Sequence, residues 1–413
     1  MDDTPDSPNL LLVVVDCLRQ DFLHRDAVDT PFLDGLRERG QEATELYATA
    51  TTTTPAIASL LTGTYGERNG IKSLRRGSLS EDVESLPEIL GDAGYHTEAM
   101  VTGPLVPETG LDRGFDRFDC RDREESMFSD WREDGLDRLA GLPEPFAAVV
   151  HLWGIHEDVR VPREFDSPEY GETPYGRAFS ALDREIEALA EAVPDDTVLA
   201  VVGDHGESIT HRNNPLRLLV KSVRDAVKYY GGADTRGVVE RVNQYFDGWG
   251  PDLDDHFVEN GHGENVFDFT TNVPFVLAGP GVEPGTVDAQ VRQIDILPTL
   301  LDALGVEYDA DGEVVEPGVE DRVAYMRACG ASLHGERNWA RAVRHDDAKY
   351  IEYPERDWAP AVYDLDEHPR ELERVDDPDL EADLRERLPE RGVDPTEVEM
   401  LEINERLEDL GYL

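Results

Sequence analysis

Lysine is nearly missing from this chain. Four lysines stand among its 413 residues: Lys72, Lys221, Lys228 and Lys349. With the arginines they make 39 basic residues against 90 acidic ones, a formal charge of −51. Such an excess repels phosphate backbones, so nucleic acid is excluded as a partner. The acidic residues run along the whole length and form no tail, which excludes an acidic interaction tail. A diffuse excess keeps a protein soluble where salt screens self-repulsion within about 3 Å at 1 M. We read it as adaptation to a salty cytoplasm of the halophilic archaeal kind. Cysteine is scarce as well. Cys17, Cys120 and Cys329 lie far apart with no CxxC, which excludes a disulfide framework and a thiolate metal knuckle. No apolar run approaches the roughly 18 residues of a membrane span. The opening MDDTPDSPN lacks the basic-then-apolar pattern of a signal peptide, so a cytoplasmic location is expected.

What is present is an alternation of strands and helices. LLLVVV at 10–15, FAAVVHL at 146–152, VLAVV at 198–202 and VPFVLA at 273–278 are continuous apolar runs. Such runs read as strands buried on both faces, as in a parallel sheet covered by helices. A further strand is expected over 97–101. Helices are expected over 31–39, 55–62, 86–94, 178–192 and 294–304, and the polar stretch 106–125 reads as loop. The predicted fold is α/β, a mostly parallel central sheet flanked by helices, with a small antiparallel C-terminal subdomain. We place the catalytic domain at 1–315 and the subdomain at 316–413, where short alternating stretches (340–344, 349–353) replace the long runs and a helix is expected over 398–410. Residues 211–260, with a basic patch of Arg212, Arg217, Lys221, Arg224 and Lys228, read as an inserted lid or cap.

In open α/β sheets, ligands bind outside the carboxyl ends of the strands. Two of the apolar runs end in chemistry there: Asp16 after the first, and Gly203-Asp204-His205-Gly206-Glu207 after the third. Carboxylates and an imidazole at strand ends suit a divalent cation. The paired glycines suggest close backbone approach to something small. A third element is Thr53, two residues before Pro55 at a helix start. A helix N-terminus attracts anions. A hydroxyl touching a cation there has a depressed pKa and can attack sulfur or phosphorus.

In order and wording these segments resemble the sulfatase branch of the alkaline phosphatase superfamily. NLLLVVVDCLRQD (9–21) is similar to that family's opening metal strand. TTPAIASLLTG (53–63) is similar to its nucleophile signature, and GDHGE (203–207) to its late metal motif. VPFVLAGPG (273–281) and QIDILPTLLDALG (293–305) are similar to the strand and helix that follow. RAVRHDDAKY (341–350) and VYDLDEHPRE (362–371) resemble its C-terminal subdomain. The resemblance implies Asp16, Asp204 and His205 as metal ligands, with Thr53 both nucleophile and ligand. It implies His156, in HLWGIHEDVRVP, as a contact to the anion or the leaving group, able to act as general acid. His262, in Gly261-His262-Gly263-Glu264, falls where the family places another anion contact. His151 reads as a core or supporting residue.

The departures from the family pattern are equally specific. Cys17 stands where a second aspartate is usual, and Ile57 where an arginine is usual. The K-x-H element after Gly94-Tyr95-His96-Thr97 is absent. Thr53 replaces the Cys or Ser that becomes formylglycine, so no formylglycine is expected. Leu152 stands where a two-metal relative would have an aspartate, which favours one divalent ion (Ca, Mn, Mg or Zn). The remaining Asp/Thr/Asp/His set resembles the threonine-dependent branch of phosphoglycerol and phosphoethanolamine transferases. The leading expectation is a metal-dependent hydrolase of sulfate or phosphate esters, on small molecules or glycans, through a covalent threonine ester. A phosphoryl transferase acting on a glycan or lipid hydroxyl is the second reading, and product analysis with acceptors separates it. A catalytically inactive binding protein is the third, and metal analysis separates that.

Overall fold

The computed structural model describes residues 7–156, 159–209, 215–248, 255–259, 261–329, 339–390 and 398–410. Nine strands form the main sheet: β1 (Asn9–Val15), β2 (Gln41–Tyr47), β3 (His96–Val101), β4 (Arg117–Cys120), β5 (Phe146–Leu152), β6 (Thr197–Gly203), β7 (Asn272–Ala278), β8 (Gly285–Val287) and β9 (Val291–Arg292). Their order is β4-β3-β5-β1-β6-β7-β2-β8, with β9 also on β2. All neighbouring pairs are parallel except the two that β7 makes, with β6 and β2. β1 therefore sits centrally, between β5 and β6 in register Val14↔His151 and Val15↔Gly203.

The apolar run of β1 is continuous because both faces are covered. Leu10, Leu12 and Val14 join a core with the helices Thr53–Thr62, Leu86–Asp92 and Ile296–Ala303. Leu11, Val13 and Val15 join the opposite core with the helices Pro31–Arg39 and Pro174–Glu191. Alternate side chains of a strand point to opposite faces, and each face here carries its own helical layer. This is the predicted α/β class.

A second sheet follows, fully antiparallel in the order β10-β11-β12-β13: Ala324–Ala328, Ala340–His345, Ala348–Glu352 and Ala361–Asp364. It touches the catalytic layer where Ala50 pairs with Arg327 and Thr51 N–H donates to the Arg327 carbonyl at 3.0 Å.

Three expectations need correction. The stretch 106–125 is not all loop, since β4 closes one edge of the sheet within it. Its period is hidden by a half-exposed edge position. β2 was not expected, because QEATELY has two charges and no continuous apolar run, yet it pairs with β7. The tail helix spans only Asn404–Asp409. In the insertion, the described helices are Pro215–Asp225 and Arg236–Phe246. Its basic residues are no surface patch, because Arg217, Arg224 and Lys228 are buried. Arg212 lies outside the described residues.

Candidate active site at the carboxyl ends of the central strands

Three central strands deliver side chains to one point. β1 ends at Asp16, β6 ends before Asp204-His205, and β5 carries His151 near its end. All four side chains are fully buried. Thr53 opens the helix Thr53–Thr62, whose residues are all buried and whose exit is the left-handed Gly63. Its hydroxyl donates to Asp16 Oδ2 at 3.1 Å and lies 3.5 Å from His205 Nε2. His151 Nε2 is 3.5 Å from the same Asp16 oxygen.

The turns that hold these groups are built from backbone. Asp204 Oδ1 accepts from the N–H groups of Cys17 at 3.0 Å and His205 at 2.7 Å. Cys17 adopts φ 62°, a left-handed conformation that is uncommon for a non-glycine residue. The Tyr175 hydroxyl, donating to the Cys17 carbonyl at 2.6 Å, helps fix that turn. The glycines around Asp204-His205 serve packing within the protein. A Cβ on Gly203 would stand 2.5 Å from the Leu18 carbonyl oxygen, and one on Gly206 would stand 2.3 Å from that of Phe269. The close approach expected from the sequence is thus to the chain's own backbone.

The electrostatics divide the two carboxylates. Burial alone would raise Asp16, but the His156, His151 and His205 imidazoles around it hold it well below the usual carboxylate range. Burial, reinforced by the charge of Asp16, pushes Asp204 well above it. The pair thus holds one charge and one proton when nothing cationic lies between them. Asp16 Oδ1 and Asp204 Oδ2 are buried and accept no hydrogen bond. Two orphaned carboxylate oxygens beside a hydroxyl and two imidazoles fit a divalent cation. The ligating atoms of Asp16, His151 and Asp204 lie within 4.8 Å of one another, as do those of Asp16, Cys17 and His205. The Cys17 thiol is pushed up by burial and by Glu207, Asp16 and Asp204, which makes it the weakest of these donors.

A second layer covers the first. His262 stacks on His205, with ring centroids 4.4 Å apart, and its Nδ1 lies 3.1 Å from the Thr51 carbonyl oxygen. Burial, with His205 and His156 nearby, pushes His262 well below its ordinary pKa, so the ring is neutral. A carbonyl only accepts, so Nδ1 carries the proton and Nε2 the lone pair. That lone pair faces His156 Nε2 at 3.2 Å, so His156 donates to it. His156 in turn stacks on Trp153 at 4.0 Å and lines a cleft of about 260 Å³ with Arg123, Phe128 and Arg160.

All six residues singled out in the sequence — Asp16, Thr53, His156, Asp204, His205 and His262 — therefore fall in one cluster. Two more belong beside them. His151 is legible in retrospect as the polar residue in an otherwise apolar buried run. Gln293 opens the family-like segment 293–305, where it was given no role. Its amide donates to the Asp204 carbonyl at 2.7 Å and accepts from Thr49 N–H at 3.1 Å, joining the turn after β6 to the loop before Thr53.

The sulfatase family model matches residues 8–306, and the chain belongs to the sulfatase family. An uncharacterized sulfatase of Escherichia coli K12, YidJ, is 24% identical over 73% of this chain and 68% of its own. Among solved structures, the phosphonate monoester hydrolase of Agrobacterium radiobacter superposes with a TM-score of 0.67 at 18% identity, covering 92% of this chain and 94% of that one. A 2-O GAG sulfatase, BT1596, superposes with a TM-score of 0.64 at 19% identity, covering 92% and 90%. Members of this family are metal-dependent. No described helix is long and apolar enough to cross a membrane.

Proposed function

We propose that the protein cleaves sulfate or phosphate esters with Thr53 as nucleophile and one divalent cation held by Asp16, Asp204, His205 and Thr53, with His151 as a further donor. The observation that carries this is the Thr53 hydroxyl, 3.1 Å from Asp16 and 3.5 Å from His205, beside two buried carboxylate oxygens that accept no hydrogen bond. A cation bound there would lower the pKa of the hydroxyl and offset charge on the ester's oxygens. The chain supplies the rest. Asp16 accepts the Thr53 hydrogen bond and orients its oxygen. The hydroxyl, made more acidic, releases its proton to solvent, and its oxygen bonds to sulfur or phosphorus while the bond to the leaving oxygen breaks. His156, which lines the cleft, acts in its imidazolium form: the leaving oxygen replaces His262 as the partner of Nε2 and takes that proton. Water then cleaves the threonine ester and restores the hydroxyl. The neutral His262 holds His156 in orientation through its Nε2 lone pair.

A threonine cannot be oxidised to an aldehyde hydrate at this position, so phosphoesters suit the site at least as well as sulfate esters. Relatives of like fold named for phosphonate monoesters and for a sulfated glycan bracket the substrate class. The test is a screen of aryl sulfates and aryl phosphate mono- and diesters with each of Ca, Mn, Mg and Zn, on the native enzyme and Thr53→Ala. The expected loss of turnover is about a thousandfold or more. Full activity in Thr53→Ala would remove Thr53 as the nucleophile.

A further inference from the structure

The insertion between β6 and β7 is folded with its polar side inward. The helix Pro215–Asp225 runs on through a wider turn, Ala226–Tyr230. Its charged residues are turned toward the body. Arg224 pairs with Glu259 at 2.9 Å, and Lys221 lies 3.0 Å from Asp225 and 3.8 Å from Glu264. Arg217 lies over the Phe257 ring at 4.4 Å, and Lys228 over Tyr353 at 5.3 Å. What faces outward is Leu216, Leu218, Leu219, Val223, Val227 and Tyr230, each between 43% and 78% exposed. A surface helix ordinarily buries its apolar stripe and shows its charges, and here the arrangement is reversed.

We propose that this face is where a second copy of the chain docks, helix against helix about a twofold axis. Three observations favour that occupant. First, Leu216, Leu219, Val223, Val227 and Tyr230 follow one another in steps of three and four residues, the spacing of a helix–helix seam. Second, these six side chains present on the order of 600 Å², so that two copies together reach the lower end of specific interfaces. Third, the charge is locally cancelled. Residues 215–230 hold one acidic side chain, Asp225, and it pairs with Lys221 at 3.0 Å, in a chain of −51. Two copies of so acidic a molecule repel wherever their ordinary surfaces meet, and this segment removes that repulsion at the contact. A bilayer is a poorer fit. An interfacial helix shows basic side chains to the headgroups, whereas these basic residues are turned inward and the rest of the chain repels an anionic surface.

The test is the mass of the full chain by sedimentation equilibrium, alone and as Leu219→Glu/Val223→Glu. The expected result is twice the 46.1 kDa of one chain for the native protein. The double variant should have unchanged circular dichroism and a dimer dissociation constant raised about a hundredfold or more. A native protein that is monomeric at the highest attainable concentration overturns the proposal, as does a folded double variant that stays dimeric. So does a monomer that co-sediments with phosphatidylglycerol vesicles, since the face then belongs to a bilayer. Val223→Cys covers the case in which the double variant fails to fold. Mild oxidation should join two copies through that residue, while Asp302→Cys, exposed on another helix, should give no dimer. Equal cross-linking of both variants counts against the seam.

Discussion

Removing the cation should destabilise the protein, and the loss should deepen as pH rises. Asp16 and Asp204 lie side by side in the interior, and Asp204 holds its proton well above the ordinary carboxylate range through burial and the charge of Asp16. A carboxyl whose folded pKa is raised contributes stability below its unfolded value, near 3.8, and that contribution is lost as pH climbs through the raised folded value. The metal-free enzyme should therefore weaken on going from mildly acidic to alkaline pH. Each pH unit crossed in that window costs up to about 1.4 kcal/mol. A bound cation holds Asp204 ionised and removes this penalty. At a hundred times its dissociation constant it adds about 2.7 kcal/mol, which for a domain of this size is a melting shift of about 3–4 °C. The assay is a set of melting curves at pH 6 and pH 8.5, after chelation and after return of each cation, on the native protein and Asp204→Asn. The native shift should be larger at pH 8.5 than at pH 6. Asp204→Asn should show little shift, and its chelated form should melt no lower than the chelated native protein at pH 8.5. A variant that gains as much from the cation as the native chain, or a native shift that shrinks as pH rises, would refute the assignment of these carboxylates.

Three further outcomes are expected. His156→Ala should slow alkyl esters by about a hundredfold or more and esters of 4-nitrophenol much less, because a good leaving group needs no proton; equal slowing of both would remove the general-acid role. Gly103→Ala should lower turnover without touching the cluster, since its Cβ would stand 2.1 Å from the Trp153 ring on which His156 stacks; unchanged kinetics would show that the ring pair is not needed for positioning. Lys349→Met should destabilise the fold by about 3–5 kcal/mol in denaturant titrations, because the buried ammonium lies 2.7 Å from Glu371 and also binds Asp268; a loss below about 1 kcal/mol would refute it.

The strands that bury both faces were legible because short continuous apolar runs rich in valine, such as LLLVVV, suit a strand covered on both faces. Their ends then located Asp16 and Asp204-His205, since ligands in such sheets gather at carboxyl ends. Thr53 was legible only through its place before Pro55 and its likeness to a known signature. By composition it is one of four consecutive threonines. β2 was not legible, because charged residues such as Glu42 are tolerated in it through partners elsewhere: Glu42 binds His24 and Arg37. The basic residues of the insertion misled because spacing reports which residues share a face, and not whether that face turns toward solvent. Gln293 opens the family-like segment 293–305, but nothing in that likeness gave its amide a role, since a single amide bridging two loops has no period.

The central place of β1 has a consequence for how the chain is made. Its six consecutive aliphatic residues leave the ribosome before the strands they pair with, β5 and β6, and Cys17 meets Asp204 across 187 residues. At ordinary elongation rates the strand waits on the order of ten seconds or more for its neighbours. During that interval it is the kind of segment that joins other nascent chains. Asp2, Asp3 and Asp6 precede it and Asp16 follows it. Asp16, for which we propose a part in the chemistry of the finished protein, thus also stands guard over the unfinished one.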